Sequence, residues 1–284
     1  MYDKRTWALY GLVASGIVAA GIVYIVSTHG RTTAPELAVH FLDVGQGDAI
    51  LIQLPDGPQV LIDAGADNSV LFGLGENLPW WDRTIEYAVV THPDLDHFGG
   101  FFGVVEKYSV GRFLYNNDGG KGLFKMLHES IEARKIASAI IGQGYVLEWP
   151  SGVTLRFLWP QAGYESEDTN ARSLTALLTW HDAAMLLTGD LPVAEEQMLV
   201  QAYPDLHAQV LKVGHHGSKG SSGAVFLETV RPELCIISAG KDNSFGHPHP
   251  ETLSRLEAVG CEVLSTVDVG TVTVRSDGSG HFHE

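Results

Sequence analysis

The stretch that decides the fold is Thr91-His92-Pro93-Asp94-Leu95-Asp96-His97-Phe98-Gly99-Gly100. It places four potential metal ligands within six residues, and it follows Ile85–Val90, an apolar run with the pattern of a buried strand. Imidazole and carboxylate groups at this spacing repel or crowd one another unless a cation lies between them. A strand that delivers a ligand-bearing loop, followed by two glycines where a helix can pack closely, suits a rigid metal site. The segment therefore predicts a metal centre.

Five other segments carry further motifs along the chain. In order, they are Phe41–Ile50, Leu61–Gly65, Leu186–Asp190, Leu211–Ser218 and Gly246–Pro250. Together with the histidine and aspartate cluster, they resemble the motifs of the metallo-β-lactamase superfamily, with Asp94 in place of the usual second histidine of the cluster. The likeness is greatest to the nuclease-like domain at the C-terminus of ComEC/Rec2 DNA-uptake proteins. It extends from about Leu37 to Asp277 and does not include the channel-forming membrane domain of that group, so we do not expect this chain to translocate DNA by itself.

From residue 37 onwards, short apolar runs alternate with turns and with segments of helical spacing, and no linker interrupts them. This pattern predicts one α/β domain. The resemblance implies a four-layer αββα sandwich of the metallo-β-lactamase type, preceded here by one transmembrane helix. We therefore divide the chain into an N-terminal membrane anchor with a short linker, residues 1–36, and a hydrolase domain, residues 37–284.

The predicted anchor is Trp7–Ser27, a stretch of 21 residues without a charge. As a helix it is long enough to cross a hydrocarbon core of ~30 Å. Lys4 and Arg5 precede it and only Arg31 follows closely, which favours a cytoplasmic N-terminus. We expect a single-pass membrane protein whose catalytic domain lies outside the cytoplasm. A cleaved signal peptide is the alternative, but the apolar segment is long for one, and Pro35 follows the only small-residue site.

Acidic residues outnumber basic ones 34 to 18, which gives a formal net charge of −16. A dedicated nucleic-acid binder usually presents a basic face. The charge balance therefore argues against tight, nonspecific binding to DNA.

The two cysteines, Cys235 and Cys261, each lie in an apolar run with strand character. We predict two buried thiols that pack as small hydrophobic groups. A disulfide between adjacent strands would suit an exported domain, but the pairing of cysteines is not deducible from sequence.

The superfamily pattern implies a two-metal hydrolase. On that pattern His92 and Asp94 hold one ion, Asp96 and His97 hold the other, and Asp190 bridges both. Hydrolysis at such a centre needs an activated water and charge stabilisation for the leaving group.

Either His215 or His216 completes the ligand set, and we favour His216 because a histidine directly before a glycine is the usual arrangement in the superfamily. The third-motif histidine of many relatives has no counterpart here. The corresponding region contains Asn170, which contacts metal or substrate or else caps a loop. Oxygen-rich coordination shifts the preference from zinc towards manganese or magnesium. We therefore predict two divalent ions, with Mn²⁺ as the first choice and Zn²⁺ as the second.

Other side chains are predicted to act around the ions. We expect Asp63 to orient a ligating histidine through a hydrogen bond, and we count it with Asp96 and His247 among the catalytic groups. His247 would protonate a leaving oxygen or bind phosphate. The segment Gly217–Gly223 is expected to form a flexible rim with backbone donors. The predicted substrate-binding residues are Asn170, Ser218, Lys219 and His249.

The first functional hypothesis is a membrane-anchored, metal-dependent phosphodiesterase, a nuclease that acts on DNA. The second is a hydrolase of a small-molecule or phosphorylcholine-type phosphodiester, which the acidic charge favours. The third is a metal-bearing accessory protein without turnover, which an intact ligand set disfavours. The glycine-containing segments complete neither a dinucleotide fingerprint nor a P-loop, and the sequence identifies no protein partner.

Overall fold

The structure is a computed structural model that describes residues 35–116 and 122–283. The strands and helices follow one another as β1 (Leu37–Phe41), β2 (Ile50–Gln53), β3 (Gln59–Ile62), α1 (Val70–Asn77), β4 (Thr84–Val90), α2 (Leu95–Phe98), α3 (Phe101–Lys107), β5 (Ser109–Tyr115), α4 (Gly122–Ala133), β6 (Ala137–Ile140), β7 (Val146–Glu148), β8 (Thr154–Trp159), β9 (Thr175–Trp180), β10 (Ala183–Leu187), α5 (Val193–Ala202), β11 (Val210–Lys212), α6 (Ala224–Val230), β12 (Leu234–Ile237), α7 (Pro250–Ala258), β13 (Glu262–Ser265), α8 (Thr266–Val269) and β14 (Val272–Ser276).

The predicted membrane span, Trp7–Ser27, lies outside the described residues. Among the helices that are described, none combines the length and the hydropathy needed to cross a membrane.

The strands of the described residues form two seven-stranded sheets. The first has the order β14-β1-β2-β3-β4-β5-β6, and the second has the order β13-β12-β11-β10-β9-β8-β7. Strands β3 to β6 run parallel to one another, and so do strands β10 to β13, whereas the remaining pairs are antiparallel. Parallel neighbours need crossover connections, and helices α1 to α7 lie in these connections.

An apolar core lies between the two sheets. Phe41 of β1 and Phe157 of β8 belong to the same buried cluster, although they come from different sheets. Two further clusters pack helices onto the sheets, with Leu74 of α1 on the first sheet and Phe226 of α6 on the second. The predicted two-sheet α/β architecture is therefore confirmed.

The two glycines after the histidine and aspartate cluster allow the close packing predicted from sequence. A Cβ at Gly99 would overlap with the backbone oxygen of Ala66, and one at Gly100 would overlap with that of Ala64. The backbone N–H of Ala64 also donates to the carbonyl oxygen of His97 at 2.7 Å. These contacts fix the loop after β3 against the loop after β4.

The sequence pattern does not indicate α1, β6, β7 or α8. Strands β6 and β7 are short and lie at sheet edges with mostly exposed side chains, so they lack an apolar pattern. Helix α1 contains Gly73 and Gly75, which have low helix propensity. It is stabilised by burial of Val70 and Leu74 in the cluster on the first sheet.

The prediction of two buried thiols is wrong, because Cys235 and Cys261 form a disulfide. Cys235 lies in β12, and Cys261 directly precedes β13. These strands are parallel neighbours, and the two Cα atoms lie 6.0 Å apart. The 26-residue separation in sequence hides this proximity, since it depends on the crossover through α7.

Candidate metal centre

Strands of both sheets deliver the predicted ligands to one place. Asp63 follows β3 and the segment His92–His97 follows β4, while Asp190 follows β10 and His215–His216 follows β11. In each sheet the two delivering strands are parallel, so their carboxyl ends lie at the same edge. The structure brings the groups together across the sheets, as shown by 3.4 Å between His97 Nε2 and Asp190 Oδ2.

Hydrogen bonds to Nδ1 fix the orientation of His97 and His92. His97 Nδ1 lies 2.8 Å from Asp63 Oδ2, and a carboxylate can only accept, so this nitrogen carries the proton. The Thr91 hydroxyl donates to Asp63 Oδ2 at 2.6 Å and therefore accepts from His92 Nδ1 at 3.0 Å. In both rings, Nε2 is left with its lone pair directed into the site. Asp63 takes the orienting position predicted for it.

His216 is held in the same manner by a different set of groups. Its Nδ1 donates to the carbonyl oxygen of Ser238 at 3.0 Å and lies 3.4 Å from Asp48 Oδ1. Asp48 Oδ2 in turn lies 2.8 Å from Lys212 Nζ, and both side chains are at most 1% exposed. The Nε2 lone pair of His216 is thus also free.

The free nitrogens converge on one carboxylate. Nε2 of His97 and Nε2 of His216 each lie 3.4 Å from Asp190 Oδ2, and Nε2 of His92 lies 4.0 Å from it. All three Nε2 atoms are buried without a hydrogen-bond partner. Among the described residues, four sets of possible ligand atoms lie within 4.8 Å of one another, and two of them consist of predicted metal ligands alone: His92, His97 and Asp190, and Asp96, His97 and His216. Buried lone pairs without donors are costly, and a divalent cation would satisfy them.

The charges of the cluster would suit a divalent cation among these ligands. Burial opposes ionisation of His97 and His216, but Asp190, together with Asp63 and Asp48, raises the pKa of both imidazoles well above the usual range. Burial likewise opposes ionisation of Asp190, yet these two imidazolium groups hold its pKa well below the usual range. Because metal ligands must be deprotonated, a cation bound here would compete with protons for these nitrogens.

Asp94 and His215 lie at the periphery of this cluster. Asp94 is half-exposed, and its Oδ2 lies 3.8 Å from His92 Nε2, while its Oδ1 accepts a hydrogen bond from Thr169 at 2.8 Å. His215 is partly exposed, and its Nε2 lies 3.7 Å from Asp190 Oδ2. Because His216 is buried and reaches both Asp96 and Asp190, it is the better placed of the two adjacent histidines.

Ser173 takes a position that the sequence pattern did not reveal. Its Oγ accepts from the backbone N–H of Asp190 at 3.2 Å and lies 3.3 Å from His92 Nδ1. Asn170, the residue predicted to contact metal or substrate in this region, begins a short 3-10 turn, and its Oδ1 is buried without a hydrogen-bond partner. None of its hydrogen bonds to protein groups joins it to the metal cluster.

The predicted rim, Gly217–Gly223, is less open than expected. Between Ser218 and Gly223 every backbone N–H has a partner within the protein, so these donors are not free for phosphate. Lys219 donates its backbone N–H to His249 Nδ1 at 3.2 Å, while the residue itself is exposed. Of the predicted rim contacts, the exposed side chain of Lys219 and the hydroxyl of Ser218, which accepts from the backbone N–H of Gly220 at 3.3 Å, are left to meet a substrate.

His247 lies on the open side of the centre, with its ring 5.6 Å from that of His215 and 6.2 Å from that of His216. Burial, followed by the charges of these two neighbours, lowers the pKa of His247 to about 4. At neutral pH its imidazole is thus neutral and offers an N–H rather than an imidazolium.

Glu196 of α5 holds the rim in place. Its Oε1 accepts from the backbone N–H of Ser222 at 2.6 Å, and its Oε2 accepts from that of Gly223 at 2.8 Å. Arg255 supports the same segment by donating to the carbonyl oxygens of Lys219 and Ser221. Burial raises the pKa of Glu196 from 4.5 to about 7, although these backbone donors favour the ionised form.

This raised pKa predicts a pH-dependent stability. The folded state binds the Glu196 proton more tightly than the unfolded state, so the contribution is complete below about pH 4.5 and is lost as the pH rises through about 7. The free energy of unfolding, compared with that of Glu196→Gln, should fall by about 3 kcal/mol over this window. Urea titrations at several pH values measure the difference. Glu228→Gln, an exposed change on α6, is the matched control and should change the free energy of unfolding by no more than about 0.5 kcal/mol. A difference between the wild type and Glu196→Gln that does not vary with pH would contradict the prediction.

Asp48 and Lys212 are the functional residues that sequence reasoning missed. Burial would raise the pKa of Asp48, but the charges of Lys212 and His216 outweigh it and hold this pKa below the usual range. Two signals were present: an aspartate between Gly47 and Ala49 in the first motif, and a lysine within the apolar run Val210–Val213. Neither residue shows its role in the sequence alone, because that role depends on the contact between Asp48, after β1 of the first sheet, and Lys212, in β11 of the second sheet.

Comparison with known proteins agrees with this geometry. A family model described as the metallo-beta-lactamase superfamily matches residues 42–240. The chain is 30% identical over 299 residues to ComE operon protein 3 of Bacillus subtilis, and the alignment covers 96% of this chain and 37% of that protein. It is 32% identical over 233 residues to competence protein ComA of Neisseria gonorrhoeae, and this alignment covers 81% of this chain and 31% of that protein. The chain thus spans about a third of the length of these relatives.

A solved structure shows the same fold. The metallo-beta-lactamase fold protein YhfI from Bacillus subtilis superposes with a TM-score of 0.59 over 85% of this chain and 100% of that chain. The sequences are 11% identical, so this similarity concerns the fold alone.

Proposed function

This chain belongs to the metallo-β-lactamase superfamily and is similar to ComEC-type competence proteins, and from that premise we propose that it is a metal-dependent phosphodiesterase that cleaves DNA. The observation that carries the proposal is the convergence of three free, buried imidazole nitrogens on Asp190. Histidine and carboxylate groups in such a cluster are the ligands of hydrolytic metal sites. An accessory protein without turnover would not need this many costly buried groups.

We assign two divalent ions to the centre. His92 and Asp94 would hold one ion, and Asp96 and His216 would hold the other. The ligand atoms of Asp190 and His97 lie close to His92 and to His216, so these two residues could contact either ion. Carboxylates form a large share of this set, which favours Mn²⁺, with Zn²⁺ as the second choice because of the imidazoles. When bound, two such ions polarise the phosphate, activate water and stabilise the attacking and leaving oxygens.

The protein groups around the centre divide the remaining tasks. Asp63 and Asp48 keep the ligating rings in the tautomer that leaves Nε2 free. The exposed Lys219 supplies a positive charge for a flanking phosphate, and the neutral N–H of His247 is placed to donate to the departing oxygen. With a net charge of −16, we expect weak DNA affinity that falls with added salt.

The test is cleavage by the purified domain. Protein loaded with Mn²⁺ or Zn²⁺ is given single- and double-stranded DNA and a chromogenic phosphodiester, at several salt concentrations. We expect slow, Mn²⁺-stimulated DNA cleavage that declines with salt and is absent in His216→Ala. His207→Ala serves as the matched control, because His207 precedes β11 whereas His216 follows it, and its Nδ1 donates to the carbonyl oxygen of Val230 at 2.8 Å. DNA that stays intact under all metals would refute the nuclease.

The acidic charge supports a second candidate, a hydrolase of small phosphodiesters. Such substrates carry few phosphates and gain little from a basic surface. Hydrolysis of the chromogenic phosphodiester without DNA cleavage would identify this activity instead. Failure with both substrates would leave the accessory role as the better hypothesis.

We also propose that the domain works outside the cytoplasm, anchored by Trp7–Ser27. The charge bias around that segment and the Cys235–Cys261 disulfide support this placement, because disulfides persist in oxidising compartments. Protease added to intact cells should remove the domain. Full protection until the cells are lysed would reverse the orientation.

A further inference from the structure

An exposed aromatic ring lies beside the metal centre. Phe245 is 61% exposed, and its ring stacks on that of His247 with centroids 5.6 Å apart and planes inclined by 21°. The His247 ring lies a further 6.2 Å from that of His216. The Phe245 ring is therefore open to solvent, and the His247 ring lies between it and the ring of His216, a proposed metal ligand.

The loop around this ring is fixed by one side chain. Asn243 Nδ2 donates to the carbonyl oxygens of Gly240 and His247 at 2.9 and 2.6 Å. Its Oδ1 accepts from the backbone N–H groups of Phe245 and His247 at 3.2 and 2.9 Å. Four hydrogen bonds from one asparagine hold Phe245 in position before any ligand arrives, which lowers the entropy cost of binding.

The charges around the loop leave little attraction for phosphate. Lys241 is followed directly by Asp242, and the adjoining cavity of about 620 Å³ is lined by Asp43 and Asp67 as well as by Lys241. A nucleic acid that reaches the centre therefore gains little from phosphate contacts at this loop, and it needs a source of affinity besides Lys219 and the metal ions. Stacking of bases on aromatic side chains is such a source, and it tolerates any base because every base has a π-face.

We propose that Phe245 is a base-stacking platform and that the preferred substrate is single-stranded DNA, with an unpaired base on Phe245 and the neighbouring phosphate at the metal centre. The inference rests on the proposed function. In a duplex, both faces of a base are covered by adjacent base pairs, so the platform reaches a base only when that base is unstacked.

The experiment separates stacking from contacts to the backbone. The metal-loaded protein is offered a fluorescent single-stranded oligothymidylate, an abasic strand of equal length and a duplex. Binding is measured by anisotropy, and cleavage is measured from shorter products. We expect Phe245→Leu to weaken the affinity for oligothymidylate by about 5- to 150-fold relative to the abasic strand. Phe245→Tyr keeps an aromatic ring and should therefore retain the preference for oligothymidylate over the abasic strand. Trp80→Ala removes an even more exposed aromatic ring near the start of β4, the end opposite to His92, and should leave the preference intact.

The outcomes distinguish the inference from the proposed function. Equal affinities of the wild type for oligothymidylate and the abasic strand would overturn the platform, even if both strands are cleaved. Equal losses on both strands in Phe245→Leu would also overturn it, because the residue would then support the loop rather than a base. A Phe245-dependent preference without cleavage by the wild type would support the platform and refute the nuclease.

Discussion

Asp190→Ala is expected to remove metal binding and hydrolysis together. The Oδ2 atom of Asp190 lies between 3.4 and 4.0 Å from Nε2 of His92, His97 and His216, so one carboxylate serves every buried ligand ring. Metal ions contribute several kcal/mol to the stabilisation of a hydrolytic transition state, and activity should therefore fall by about a thousandfold or more. Elemental analysis of the purified variant and the DNA cleavage assay measure the two losses.

Two variants calibrate this result. Asp205→Ala removes an exposed carboxylate in the turn after α5 and should retain both metal and activity. Asp63→Ala removes the hydrogen bond to His97 rather than a ligand, and a loss of about 10- to 100-fold in metal affinity is the usual range for such a change. Wild-type metal content in Asp190→Ala would show that the centre is assembled differently.

Lys212→Met is expected to destabilise the folded protein more than any surface change. It leaves Asp48 as a buried carboxylate without its partner at 2.8 Å, and breaking a buried ion pair in this way costs about 3–5 kcal/mol. The measurement is the free energy of unfolding from urea titration. Lys125→Met breaks an exposed pair with Glu129 and should change the free energy by no more than about 0.5 kcal/mol.

The pH dependence and a double variant identify the cause. The pKa of Asp48 is lowered in the folded wild type, so its stabilising contribution is present above the ordinary carboxyl range and is lost as the pH falls through the folded pKa. In Lys212→Met, protonation of Asp48 removes the buried charge, so the two proteins should converge in acid. Asp48→Asn combined with Lys212→Met should recover part of the loss. A difference independent of pH would assign the effect of Lys212 to packing alone.

The local part of the centre was predictable from sequence. His92–His97 is contiguous and follows a strand with a clear apolar pattern, so its chemistry is visible without a fold. Asp63 and Asp190 follow apolar runs in the same way, and the structure places their Oδ2 atoms 2.8 Å from Nδ1 and 3.4 Å from Nε2 of His97, respectively.

The remainder depends on which strands become neighbours. Asp48 and Lys212 meet only because the two sheets pack face to face, and the disulfide forms only because β12 and β13 are adjacent. The satisfied backbone of the rim depends on Glu196, a side chain from another helix. The pattern of a single sequence shows periodicity along the chain, but it does not show which distant residues come into contact.

Strand β14 closes the first sheet by pairing with β1, and Leu37 lies opposite Ser276. The polypeptide thus enters and leaves this unit side by side, and the other end of β1 leads towards Asp48 beside the metal centre. A unit with adjacent ends can be spliced into a longer polypeptide through a single junction. Here the junction would lie at Leu37 and Ser276, at the end of β1 away from Asp48.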